Sequence, residues 1–272
     1  MSSAPPPPNV YSSDHSKGVI KTHGWRTAAN SASYLMPYLQ PTMKILDVGC
    51  GPGSITIDLA RLVPDGSVIG IEYTSDPLPK ALESAVGQGV MNVEFRVGDA
   101  HKLEFPDNTF DVVHAHQVLQ HIADPVLALR EMKRVTKPGG IVAVRESIAP
   151  SWYPESAGLT AFWELQTRMA RAKGGNPHPG THIHKWAMQA GFDRSQINCT
   201  AGTWCFSTPE EREYWGGSME ERTLSSAFAD IALKGGHTTM DELKQQAAAW
   251  REWIQAEDGW FAFLHGEIVC RV

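Results

Sequence analysis

Residues 45–53 read Ile-Leu-Asp-Val-Gly-Cys-Gly-Pro-Gly. An apolar run enters a turn with glycine at positions 49, 51 and 53, and a helical pattern follows. Glycine allows the tight turn and lets a ligand approach the main chain. The start of the helix beyond it offers unpaired N–H groups. Glu72, nineteen positions after Gly53, closes the next apolar run. A carboxylate there is placed to accept hydrogen bonds from ribose hydroxyls, so an adenosine-containing ligand is expected in the crevice at the strand ends. A dinucleotide fingerprint needs glycine where Ser54 stands, and no Gly-Lys-Ser/Thr follows to make a phosphate-binding loop. Asp47, two residues before Gly49, would repel a pyrophosphate but attract an ammonium or a sulfonium.

S-adenosylmethionine (SAM) carries both of those cations and no phosphate. Beside its expected place, His116 and His121 flank the exit of the apolar run Phe110–Ala115. His182 and His184 lie in the C-terminal half, and His23 precedes the segment from Trp25. Histidine titrates near neutrality and is the natural general base. A single histidine is nevertheless more often structural, and His121 or His182 is the candidate base. His178, His182 and His184 have no nearby cysteine or acid to complete a zinc site, so no metal is expected. The four cysteines form no C-x-x-C pair.

These residues need a scaffold that brings strand ends together. From Met43 to Ser147, strand-like runs alternate with helical stretches: 43–48, 67–72, 92–97, 110–115 and 141–145 against 54–63, 76–87 and a helix opened by Asp124-Pro125. Lys137-Pro138-Gly139-Gly140 stops that last helix. Such alternation implies a parallel sheet covered on both faces, and the right-handed crossover makes it doubly wound. Eight of nine tryptophans lie beyond residue 150, where the pattern changes. Helices are expected over 159–171 and 184–190, and after Thr208-Pro209-Glu210-Glu211 and Thr239–Glu242, both capping boxes. Strands are expected over 196–206 and 261–272. Trp152, Tyr153, Phe162, Trp163, Trp204 and Trp215 are candidates to line an apolar pocket, against the alternative that they are cap core. Trp25 to Leu39 reads as a helix before the first strand.

The 272 residues suit one core domain with an insertion. The formal net charge of −6 argues against nucleic acid as partner. No apolar run reaches membrane-spanning length, so no membrane is expected. Pro5–Pro8 read as an extended tail, and neither a signal peptide nor a transit peptide pattern is present, so the cytoplasm is the expected compartment.

The set Asp47, Gly49-x-Gly51-x-Gly53, Glu72, Gly98-Asp99-Ala100, Phe110-Asp111-Val112-Val113 and Arg134–Gly140 (R-V-T-K-P-G-G) resembles the class I SAM-dependent methyltransferases over residues 11–147. The last run, with His121-Ile122-x-Asp124-Pro125, resembles the subgroup that includes ubiquinone and menaquinone biosynthesis methyltransferases. The resemblance implies an α/β, seven-stranded, Rossmann-like doubly wound sheet with its last pair antiparallel, and a helical cap. It implies SAM as cofactor, held by Tyr11, Asp47, Gly49, Cys50, Gly51, Glu72, Asp99, Ala100 and Gln117. Asp99 would contact the adenine amino group, and Tyr11 the methionine end. The expected layout is a tail over 1–10, lid helices over 11–42, a SAM-binding core over 43–150, and an aromatic cap with the final strands over 151–272. The expected reaction is methyl transfer to a small, partly apolar or aromatic acceptor, with secondary metabolism as the expected setting. Alternatives are a SAM-binding fold catalysing a non-methylating reaction such as cyclisation, and a non-catalytic SAM-binding module. The Tyr-Asp-x-x-Asn block of quinone methyltransferases is missing, and so is the Asn/Asp-Pro-Pro-Tyr/Phe run of enzymes acting on bases or glutamine.

Overall fold

A computed structural model describes residues 25–172, 175–225 and 227–272. Tyr11, His23 and the proline-rich tail lie outside the described residues. Seven strands form one sheet: β1 (Lys44–Val48), β2 (Ser67–Glu72), β3 (Val93–Val97), β4 (Phe110–His116), β5 (Thr136–Tyr153), β6 (Ile197–Phe206) and β7 (Trp260–Arg271), in the order β3-β2-β1-β4-β5-β7-β6. Strands β1 to β5 pair in parallel, and β7 runs antiparallel to both β5 and β6. The chain order reverses between β1 and β4, which is where a doubly wound sheet opens its ligand crevice.

Central strands buried on both faces read as continuous apolar runs. Alternate residues therefore feed two cores. Ile45, Val112 and Ile141 pack with Ile57 and Leu59 of α2 (Ser54–Leu62) on one face. Leu46, Val113 and Val142 pack with Leu129 and Met132 of α4 (Pro125–Val135) on the other. Helix α3 (Leu78–Gly87) starts two residues later than expected, with Pro77 in the capping position. The Asp124 side chain caps α4 as expected, accepting from Leu127 N–H at 2.8 Å.

A third core lies under the cap. Helices α5 (Ala157–Ala172), α7 (Pro209–Ser225), α8 (Ala227–Lys234) and α9 (Met240–Gln255) bury Phe162, Trp215, Phe228 and Trp250 against Trp204, Phe206 and Phe261 of β6 and β7. The short α6 (Ile183–Gln189) packs elsewhere, on the sheet. Both expected capping boxes form, Thr208 with Glu211 and Thr239 with Glu242.

Two expectations change. Strand β5 runs to Tyr153 rather than ending near 145, because β7 pairs with it along the whole length to Trp260. Within that ladder Arg145 stands opposite Glu267 and bonds it at 3.1 Å, both side chains buried. A buried pair of this kind specifies register more than it stabilises. The segment from Trp25 to Leu39 is not one helix. A single turn, α1 (Ala28–Ser31), capped by Thr27, is followed by a 3₁₀ turn over Met36–Tyr38. The helical backbone ends at Ala32, at φ −135° and ψ 17°, and Pro37 sits in the first turn of the 3₁₀ segment, where its missing N–H costs nothing.

Candidate active site

The turn after β1 is stitched to β2. The N–H groups of Gly49 and Cys50 both donate to Ile71 C=O, at 2.8 and 2.9 Å. Glu72 accepts from Gly51 N–H at 3.0 Å and from Tyr73 N–H at 2.8 Å, so this carboxylate is oriented before any ligand arrives. Gly51 holds φ +52°, and a Cβ placed on it would meet nothing within 4 Å. That free space is the floor of a cleft, and any side chain there would fill it.

Asp47 is buried. Thr56 Oγ1 donates to it at 2.6 Å and His114 Nδ1 stands 2.7 Å away. The donor cleft above it is lined by Asp47, Gly49, Cys50, Gly51, Glu72, Ala100, Gln117 and His121, together with Arg26 and His116. Eight of the residues anticipated from sequence are therefore brought together. Burial, and after it the Asp47 and Glu72 charges, push the Cys50 thiol well up, so it stays protonated.

Asp99 is not among the lining. Its carboxylate accepts from its neighbour's backbone, His101 N–H, and meets the His101 ring Nδ1, both at 2.9 Å. It borders the adjacent hollow with Tyr73 and Arg96, while Gly98 and Ala100 on either side face the cleft. A one-residue step along an extended loop is enough to reverse the side chain. His182 also falls away from the cleft. It precedes α6, stacks on Trp186 with ring centroids 6.0 Å apart, and contacts Thr181 Oγ1 at 2.7 Å.

A second cavity, of ≈ 760 Å³, adjoins the first. Its apolar wall is Trp152, Trp163, Trp204, Trp215 and Phe263. Of the six aromatics proposed from sequence, Phe162 instead fills the cap core and Tyr153 faces outward at 54% exposure. The volume suits a medium-sized organic molecule.

Three residues line both cavities: Arg26, Gln117 and His121. Gln117 adopts φ +54° at the end of β4. Its Oε1 accepts from Arg26 Nη2 at 2.8 Å, and its amide nitrogen meets His265 Nε2 at 3.0 Å. The turn that carries them, Val118 to His121, is clamped by Glu146. That buried carboxyl accepts from Val118 N–H at 2.7 Å and Leu119 N–H at 2.6 Å. Burial raises its pKa to about 8 against the pull of those N–H donors and of Arg26. Burial likewise depresses His116, and takes His265 down to about 2, with Arg145 and Arg26 adding to it. Both imidazoles are neutral at physiological pH. Arg26, Glu146 and His265 were not anticipated as site residues. Glu146 and His265 lie on β5 and β7, where no local motif marks them. His116, the last residue of β4, lines the cleft beside His121, at the strand exit where both were expected.

A methyltransferase-domain family model matches residues 39–195. An uncharacterised methyltransferase of Schizosaccharomyces pombe is 38% identical over 260 residues, 92% of this chain and 92% of its own length. A demethylmenaquinone methyltransferase of Geobacillus stearothermophilus is 39% identical over 116 residues, 42% of this chain and 50% of its own. The phosphoethanolamine N-methyltransferase 2 of Haemonchus contortus, solved with phosphomonomethylethanolamine and S-adenosylhomocysteine, shares the fold with a TM-score of 0.53 at 20% identity, over 86% of this chain and 49% of its own. The chain belongs to the methyltransferase-domain family. It is a SAM-dependent methyltransferase, with S-adenosylmethionine as its cofactor. The cleft fits that cofactor: its charged side chains are Asp47, Glu72 and Arg26, an acidic balance that suits a cation, and the open floor at Gly51 leaves room against the main chain.

Proposed function

We propose that the protein methylates a small, partly apolar or aromatic acceptor seated in the tryptophan-walled cavity, with His121 as the base. The observation that carries this reading is the shared rim: His121, Gln117 and Arg26 belong to both cavities, so donor and acceptor meet there. Glu72 serves the ribose, and the Gly49–Gly51 turn the amino-acid end of the cofactor under the field of Asp47. Bound SAM supplies a methyl group on a sulfonium, already activated for in-line displacement, and alignment does most of the remaining work.

The proton is assigned to one atom. Ser147 Oγ donates to Gln120 Oε1 at 2.8 Å, which leaves the Gln120 amide N–H to donate to His121 Nε2 at 3.0 Å. The imidazole lone pair is thereby held on Nε2. An acceptor hydroxyl that displaces the Gln120 amide would donate there and pass its proton to Nε2 as the methyl transfers. Trp163, Trp204 and Trp215 exclude water around it.

In this reading residues 43–150 carry the cofactor and 151–272 shape the acceptor site. The tryptophan-walled hollow and the net charge of −6 favour a small molecule over nucleic acid. No described helix is long and apolar enough to cross a membrane, and all four cysteines are free, which supports a reducing cytoplasm as the place of action. Mass-spectrometric screening with SAM tests the function. A methylated aromatic or apolar acceptor is expected. Methylation confined to short, highly charged metabolites would overturn it.

A further inference from the structure

The helices that supply tryptophans to the acceptor cavity also line it with arginines. Arg168 and Arg171 stand one turn apart on α5, and Arg222 faces the cavity from α7 beside Met219. Against these, Glu164 is the single carboxylate in the lining. Among the described residues Arg171 forms no ion pair, and Arg168 makes a hydrogen bond only to the backbone, His237 C=O at 3.2 Å.

This concentration of positive charge belongs to a chain with six more acidic than basic residues. Arginine is the side chain suited to carboxylates and phosphates, because its planar fork donates in parallel to two of their oxygens. Resting on the methyl-transfer reading, we infer that the acceptor is an amphipathic anion. Its apolar or aromatic body lies on the tryptophan wall, and a carboxylate or phosphate is held by Arg171 and Arg222. The anion then lies across the cavity from the acidic donor cleft, so the two charges of opposite sign fix which end of the acceptor reaches His121.

The test is calorimetric titration of the full chain with 2-naphthoate, 2-naphthamide and 2-naphthyl phosphate, with and without S-adenosylhomocysteine. 2-Naphthoate should bind about tenfold more tightly than 2-naphthamide, the difference expected of a charge-assisted contact. Arg171→Gln and Arg222→Gln should each erode that advantage while leaving 2-naphthamide unchanged. A phosphate ester tighter than 2-naphthoate supports the anion site and identifies the headgroup as a phosphate; the reverse identifies a carboxylate. Equal affinity for acid and amide, equal losses for both in the arginine variants, or binding of none of the three overturns the inference. Failure of S-adenosylhomocysteine to bind would instead sink the methyl-transfer reading, while the titrations without it still report the charge of the cavity.

Discussion

The donor cleft and the acceptor cavity share a rim but are built differently. The donor cleft is mostly backbone: a glycine turn tied to Ile71 C=O, with Glu72 locked by two N–H donors. Its elements are consecutive in the chain, and its charges are mainly acidic. The acceptor cavity is mostly side chain, assembled from the segment after β4 and from β5, α5, β6, α7 and β7, and its charges are mainly basic. One site recognises a fixed cofactor and can be made from a rigid turn. The other is shaped by residues whose positions depend on how the cap docks, so its chemistry can differ among proteins that share the cleft.

The difference can be broken from either side. Trp250 is fully buried where α9 meets Phe162 and Phe261, so Trp250→Ala should cost about 3–5 kcal/mol and lower the midpoint of denaturant unfolding more than any surface change. His121→Ala should lower kcat about 10²- to 10³-fold for a hydroxyl acceptor and remove the acidic limb of the pH–rate profile, with SAM affinity by calorimetry unchanged. Unaltered kcat and profile would remove His121 as base. Gly51→Val should weaken SAM binding about a hundredfold, since it fills the cleft floor at φ +52°, yet leave 2-naphthamide binding intact. Parallel losses of both ligands would show that the two cavities are not separable.

The last test concerns Glu146, read as a slope per pH unit. An unfolded chain ionises a glutamate near 4, whereas the fold keeps this carboxyl neutral to about 8. Its contribution to stability is therefore complete below pH 4 and is lost as pH rises through 8, at no more than about 1.4 kcal/mol per pH unit. Glu146→Gln keeps an oxygen for the Val118 and Leu119 N–H groups, so its unfolding free energy should be flatter between pH 5 and 8 (about those limits). An unchanged slope would assign the pH dependence elsewhere.

Much of the donor side was legible from residues close in sequence. The glycine turn, Glu72 and the order of strands and helices follow from local rules, hydrophobic period, glycine placement and capping residues, whereas Ala100 and Gln117 came from the resemblance to a family. Asp99 shows the limit, because a motif names a residue but does not orient its side chain toward the cleft rather than toward His101. His182 shows another, since closeness of a histidine to a cavity depends on which way a 3₁₀ turn presents it.

Sequence by itself determined the doubly wound alternation and the location of the crevice, because periodicity and turn chemistry act over a few residues; the reversed last strand came only with the resemblance to a family. Only the tertiary structure decided the rest: the length of β5, the break after α1, the clamp of Glu146 on the His121 turn, and the gathering of arginines and tryptophans around one cavity. Those features join positions as far apart as Gln117 and His265, 148 residues along the chain. Their energies arise from burial and charge at contacts that exist only once the cap has packed on the sheet.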